Sequence, residues 1–205
     1  MNVELVAFTQ GNPKNAYKGA APADVCAVAT AQCYGSEPNP RTVKGAIRKG
    51  HESIIEHASF TFLIEEVSRA FLAQVTRHRI ASFSVRSQRY CKETEFEYIE
   101  PPSVWEGSEY ARDVFEASMQ EAQVAYDVLL KEGVKPEDAR MVLPNACFTS
   151  MVMTMNARSL RNFFRLRLDN HAQWEIRLVA QTMFDLVMEV APALFEDIKQ
   201  EVTTE

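Results

Sequence analysis

Arg77, Arg79, Arg86 and Arg89 fall within the stretch RHRIASFSVRSQRY, with no acidic residue among them. Ser82, Ser84 and Ser87 are interleaved, and His78 lies between the first two arginines, which disfavour its cationic form. Forked guanidinium donors beside small hydroxyl donors are what a phosphate or nucleotide cradle needs. A short solvated basic loop is the bland alternative. A second cluster, NARSLRNFFRLRLDNH, holds Arg158, Arg161, Arg165 and Arg167, again with no acid among them. On a helix, Arg158, Arg161, Asn162 and Arg165 share one face within about 100°. Leu160, Phe163 and Phe164 form the opposite, apolar face. A solvated basic face explains the first group as well as a ligand does. It does not explain Arg167, which projects into the apolar face, because burying a guanidinium without an anion costs several kcal/mol. Arg167 therefore lies past the helix end or meets an anion. Two such clusters suit one phosphorylated small molecule, or two.

Other motifs fall away. GAIRKGHES has the glycine separation of a phosphate loop, but His51 and Glu52 stand where Lys and Ser/Thr are needed. No GxGxxG occurs, so any dinucleotide binds without a Rossmann turn. In HESIIEH, His51 and His57 are six residues apart, roughly 120° from facing the same way on a helix, which argues against a metal site. Cys26, Cys33, Cys91 and Cys147 form no CxxC pair and suggest reduced thiols in a cytosol-like compartment.

The elements that must position these groups are mostly helical. The chain has 205 residues, 46% hydrophobic and 24% charged, which suits a single α+β domain over 1–205 with a real core. Its net charge of −6 argues against a general nucleic-acid binder. No signal peptide is evident and no run approaches the roughly 18 apolar residues of a membrane helix, so a soluble, cytoplasmic protein is expected. Strands are expected at 3–9, 58–66 and 147–155, where apolar and polar residues alternate. Helices are expected over 22–33, 40–49, 68–76, 103–132, 136–143 and 157–168. Ser53 and Glu56 have capping-box spacing. A final long helix, capped by Asp169 or Asn170, carries Trp174, Val179, Met183, Leu186, Val190 and Leu194 on its apolar side.

Arg77-His78-Arg79, seven further residues and Ser87 resemble the defining motif of the flavin-dependent thymidylate synthases. GHESIIEH at 50–57, ARMVLP at 139–144 and NARSLRNFFRLRLDNHAQWEI at 156–176 resemble that family's flanking motifs, in the same order, over roughly residues 45–180. The resemblance implies an α+β fold, mostly helical with a small sheet. It implies a homotetramer whose active sites form where subunits meet. FAD would carry hydride, NADPH would reduce it, and methylenetetrahydrofolate would give the one-carbon unit that converts dUMP to dTMP. Carried across, Ser53, Glu56, Arg77, His78, Arg79, Asn156, Arg158, Asn162 and His171 resemble FAD positions. Gln74, Arg77, Val85, Arg86, Ser87, Gln88, Arg89, Arg140 and Arg167 resemble the dUMP site, with Ser87 and Arg89 at the phosphate. Arg167 resembles the catalytic arginine that meets the uracil ring and favours its N3-deprotonated form, which would be the anion its position demands. No metal is implied.

No cysteine falls in the matched catalytic motifs, and no base stands ready to activate Ser87, which is therefore a binding residue. The sequence departs from the family at Ser84-Val85, where many members carry Asn-Glu or Ser-Gln. Val85 offers no side-chain hydrogen bond, and Arg86 adds a charge beside the phosphate serine. These changes bear on the finer substrate contacts and leave open a relative that makes a hydroxymethylated pyrimidine. A non-catalytic nucleotide- or RNA-binding protein and a helical assembly protein are the alternatives from other classes.

Overall fold

The computed structural model describes residues 1–198. Strand β2, Ser59–Ser68, forms because Phe60, Phe62 and Ile64 point to one face and are completely buried. Strand β4, Phe148–Asn156, does the same with Met151, Met153 and Met155. Thr61 and Thr154 bond to each other across these strands at 3.0 Å. With β1, Asn2–Phe8, and β3, Ser82–Val85, they make a four-stranded sheet in the order β1-β2-β4-β3. The rest of the described chain is largely helical, which makes the fold α+β. None of these helices is long and apolar enough to cross a membrane.

Contacts divide the chain into two units, and β2, β3 and β4 each run from one into the other. The first consists of Met1, Glu65–Val75 and Ser84–Met151. It holds α3 (Arg69–Val75), α4 (Pro102–Trp105), α5 (Glu109–Lys131) and α6 (Pro136–Ala139). Helix α5 buries Met119 and Tyr126 and fastens the preceding loop. The Tyr126 hydroxyl accepts from the Glu93 amide at 3.2 Å, and the Gln123 amide bonds Phe96 N and Glu93 O.

The second unit takes in Asn2–Ile64, Thr76–Phe83 and the described chain from Val152 onward. It holds α1 (Pro22–Tyr34), α2 (Pro40–Arg48), α7 (Ala157–Arg167) and α8 (Trp174–Val190). Its core is aromatic. Phe164 stands edge-on to Phe184 and Phe195, with centroids 5.2 and 5.7 Å away, and Phe195 meets Phe60 at 5.7 Å. Gly35 ends α1 at φ 59, a left-handed turn that glycine adopts without strain.

Several expected elements are reshaped by local bonding. The helix expected over 103–132 is broken at Gly107–Ser108, because the Ser108 hydroxyl caps α5 by accepting from Ala111 N. The last helix is capped by Gln173, not by Asp169 or Asn170, since Asp169 is engaged by His171. It stops at Val190 ahead of Pro192, so Leu194 sits in a separate 3₁₀ turn, still buried. The 136–143 helix reduces to the single turn of α6 and a 3₁₀ turn at Arg140–Val142. HESIIEH makes a 3₁₀ helix, Glu52–His57, with His51 at its N-cap and no capping box. The 77–90 stretch, for which no strand is expected, contains β3.

Candidate active site

Helix α7 starts where two backbone ends meet. Asn156 caps it by accepting from Ser159 N at 2.9 Å, and Ala157 N donates to Ala58 O at 2.7 Å. That second bond sets the first turn of α7 beside the end of the Glu52–His57 turn. Between them and residues 77–80 opens a cleft of about 890 Å³, wholly within the second unit. Arg77, Arg79, Arg158, Arg165 and Arg167 line it, with Glu52, Glu56, His78, Asn156 and Asn162.

Glutamates on the turn hold part of this charge. Arg158 Nη1 bonds Glu56 Oε1 at 2.6 Å, and Arg165 Nη1 lies 3.7 Å from Glu52 Oε1. The arginine that the sequence pattern puts on a solvated face, Arg161, is buried instead, with 1% of its side chain exposed. Its Nη1 and Nη2 grip Asp197 at 2.7 and 2.6 Å, Nη1 also reaches Leu194 O at 2.7 Å, and Nε donates to Glu52 at 3.1 Å. Burial alone would lower its pKa, but the bonds and charges of Asp197 and Glu52 raise it overall. Glu52 thus joins a buried cation to the cleft wall.

Arg167 is the last residue of α7 and is half-buried. Its Nε donates to His78 Nε2 at 3.0 Å. Burial, and then the charge of Arg77, hold its pKa below the usual arginine value. His78 is pushed down to about 4, by burial first and by Arg167 second, so it is neutral at physiological pH. The direction agrees with the sequence reading; the main cause is desolvation, not the two flanking arginines.

Seven of the nine positions carried over for FAD line this cleft: Glu56, Arg77, His78, Arg79, Asn156, Arg158 and Asn162. Ser53 faces a different cavity of about 650 Å³, formed by Gln10–Tyr17, one side of α1, Ile54 and His57. His171 is 98% exposed and bonds Asp169 through its amide and Nδ1. Sequence reasoning overlooked Glu52 although it lies inside a quoted motif. It also overlooked the second cavity, most of whose wall precedes the matched motifs.

Most positions carried over for dUMP lie in the first unit. There Arg86 and Arg89 are not unneutralised as their local sequence suggests. Arg86 Nε bonds the buried carboxylate of Glu93 at 3.3 Å, which with that charge raises its pKa. Arg89 Nε bonds Glu137 at 3.0 Å, and Arg140 Nε donates to the Glu137 carbonyl at 3.0 Å. Arg89 and Arg140 therefore share Glu137. Ser87 Oγ accepts from the Arg89 backbone N–H at 3.3 Å, closing a local turn. Gln88 is buried and donates to Cys147 Sγ at 3.7 Å, while Gln74 Nε2 reaches Ala70 O at 3.4 Å. Val85 is half-buried on β3. Among the described residues, no group of three or more His, Cys, Asp or Glu is placed to hold a metal ion.

Five arginines against two glutamates, with donor amides between them, fit a pyrophosphate-bearing group. The family model described as thymidylate synthase complementing protein matches residues 17–193. Among similar proteins, the flavin-dependent thymidylate synthase of Geobacter sulfurreducens is 52% identical over 150 residues, which are 72% of this chain and 64% of that protein. That of Clostridium tetani is 48% identical over 163 residues, covering 72% and 65%. That of Sulfurisphaera tokodaii is 40% identical over 209 residues, covering 95% and 76%. The matched part is thus a little under two thirds of the length of the first two relatives. With the family model spanning most of its length and relatives 40–52% identical, this chain belongs to the flavin-dependent thymidylate synthase family.

Proposed function

We propose that this chain converts dUMP to dTMP, with FAD as hydride carrier, NADPH as reductant and methylenetetrahydrofolate as carbon donor. The observation that carries this reading is the arginine-lined cleft that gathers seven of the expected flavin positions. Arg77, Arg79 and Arg158 would hold the pyrophosphate, with Asn156 and Asn162 as neutral donors. An anion there competes with Glu56 for Arg158, so loading exchanges one charge-assisted bond for another. Bound there, FAD would supply the hydride that completes the methyl group. Arg167 would bind the uracil edge and lower its N3 pKa by direct charge attraction. Ser87 and Arg89 would hold the nucleotide phosphate, Arg89 leaving Glu137 to do so, and Gln74, Gln88 and Arg140 would complete that site. Val85 contributes backbone only, and Arg86 is already committed to Glu93. We take the active form to be a cytoplasmic homotetramer with sites between subunits.

The test is direct. Purified protein should be yellow or turn yellow with FAD, and NADPH should bleach it anaerobically. With both co-substrates it should release tritium from 5-labelled dUMP, and the product should have the mass of dTMP. Protein that binds no flavin, or bleaches yet releases no tritium, overturns the reading; a hydroxymethyl mass would redirect it to the alternative product.

A further inference from the structure

His78 enters the cleft differently from the arginines beside it. Its imidazole stands edge-on to Phe163, with centroids 4.9 Å apart and planes at 72°. Its Nε2 lies 3.0 Å from Arg167 Nε, and the guanidinium must be the donor because it has no acceptor. Phe163 and Arg167 are four residues apart on α7, so they lie on one side of that helix and hold the same ring. An imidazole that accepts at Nε2 carries its proton on Nδ1 and is uncharged.

Two nearby guanidiniums are held by carboxylates instead. Arg158 bonds Glu56, and Arg161 bonds Asp197 and Glu52. A carboxylate offsets part of the charge it orients. A neutral ring orients without offsetting, and in a partly buried cleft that difference is large because charges there are less screened.

We propose that His78 is the positioning residue for Arg167, fixing its guanidinium through Nε–H···Nε2 to an uncharged acceptor, so that this bond offsets none of the charge presented to an anionic ring in the cleft. The bond is a property of this chain; the identity of that ring rests on the function proposed above. The burial that pushes His78 down to about 4 keeps the accepting form populated through mildly acid pH. The charged groups sharing its surroundings are Arg167 and Arg165 on α7, Arg77 and Arg79 on its own segment, and Arg158, Glu52 and Glu56 across the cleft.

Two measurements test this. Isotope-edited ring-nitrogen NMR of the flavin-free protein at neutral pH reads the tautomer, with the His78 signal assigned from its loss in His78→Gln. A protonated Nδ1 and a bare Nε2 are expected; a proton on Nε2 overturns the proposal. Second, kcat/KM for dUMP is measured at saturating flavin in a double-mutant cycle. His78→Leu should lose about tenfold or more, and His78→Gln, which keeps an acceptor, should recover most of it. On an Arg167→Leu background the same His78→Leu change should cost no more than about twofold. Equal losses on both backgrounds would place the role of His78 elsewhere and overturn the proposal. Should His78→Leu fail to fold, the tautomer and the glutamine variant still decide. A wild-type protein that leaves dUMP unchanged would sink the substrate reading while the tautomer could still be read.

Discussion

Replacing Arg161 with methionine removes a cation that is 1% exposed while leaving its two carboxylates in place. Four hydrogen bonds go with it, one to Glu52, two to Asp197 and one to the Leu194 carbonyl. Removing one partner of a buried ion pair costs about 3–5 kcal/mol. Glu52 and Asp197 keep 21% and 38% of their side chains exposed, so both regain some water, and the lower figure of about 3 kcal/mol applies. Methionine fills most of the stem volume, so no large cavity term is added. For a chain of this length each kcal/mol is worth about 2–4 °C, so the melting temperature should fall by about 6–12 °C. Arg161→Lys should fall between, since lysine keeps the charge but loses the two-pronged grip. The loss should also depend on acidity. Burial raises the Asp197 pKa, but the hydrogen bond and charge of Arg161 bring it below the usual carboxylate value. A depressed carboxylate contributes stability above its unfolded pKa of about 3.9 and loses it as pH falls through the folded value. The gap between wild type and Arg161→Met should therefore narrow below about pH 4. Calorimetry on the flavin-free protein measures both quantities. A methionine variant melting within about 2 °C of wild type would refute the reasoning, because that is less than 1 kcal/mol on the same scale.

Arg89→Gln should change stability by less than about 1 kcal/mol, since its pair with Glu137 is exposed, yet weaken dUMP binding about tenfold or more by calorimetry. Unchanged affinity would remove Arg89 from the phosphate site. Because the folded pKa of His78 is about 4 against 6.5, the native state binds fewer protons than the unfolded chain between those values. Stability should therefore rise with pH across that window, and His78→Leu should flatten the slope measured by urea unfolding; an unaltered slope contradicts the burial. Cys26 and Cys147 are buried with thiols pushed up to about 12 and about 11, whereas Cys33 is exposed. Iodoacetamide at mildly alkaline pH should modify Cys33 first, and early mass labels on Cys26 would contradict its burial.

Strands β1, β2 and β4 and helix α7 were legible in the sequence because their signals are local, whereas the four-residue β3 was not. Phe60, Phe62 and Ile64 alternate with polar residues, and Asn156 stands where a cap belongs. The fate of each guanidinium was not local. Arg86 finds its carboxylate 7 residues away, Arg161 finds Asp197 at 36, Arg89 finds Glu137 at 48, and Arg161 finds Glu52 at 109. A charge inventory of one stretch cannot register acids brought in from that distance. The same limit misplaced the buried arginine. A helical wheel sets Arg161 outward because it takes no account of the segment around Leu194 and Asp197 that packs over that side. The break before α5 was missed for a different reason, since the amphipathic pattern continues across Gly107–Ser108 while the serine hydroxyl starts a new helix there.

The short turn Glu52–His57 is only one backbone thick, yet Ser53, Ile54 and His57 look into one cavity while Glu52 and Glu56 look into the other. The two chambers therefore share this one wall, and a backbone shift in it would alter both.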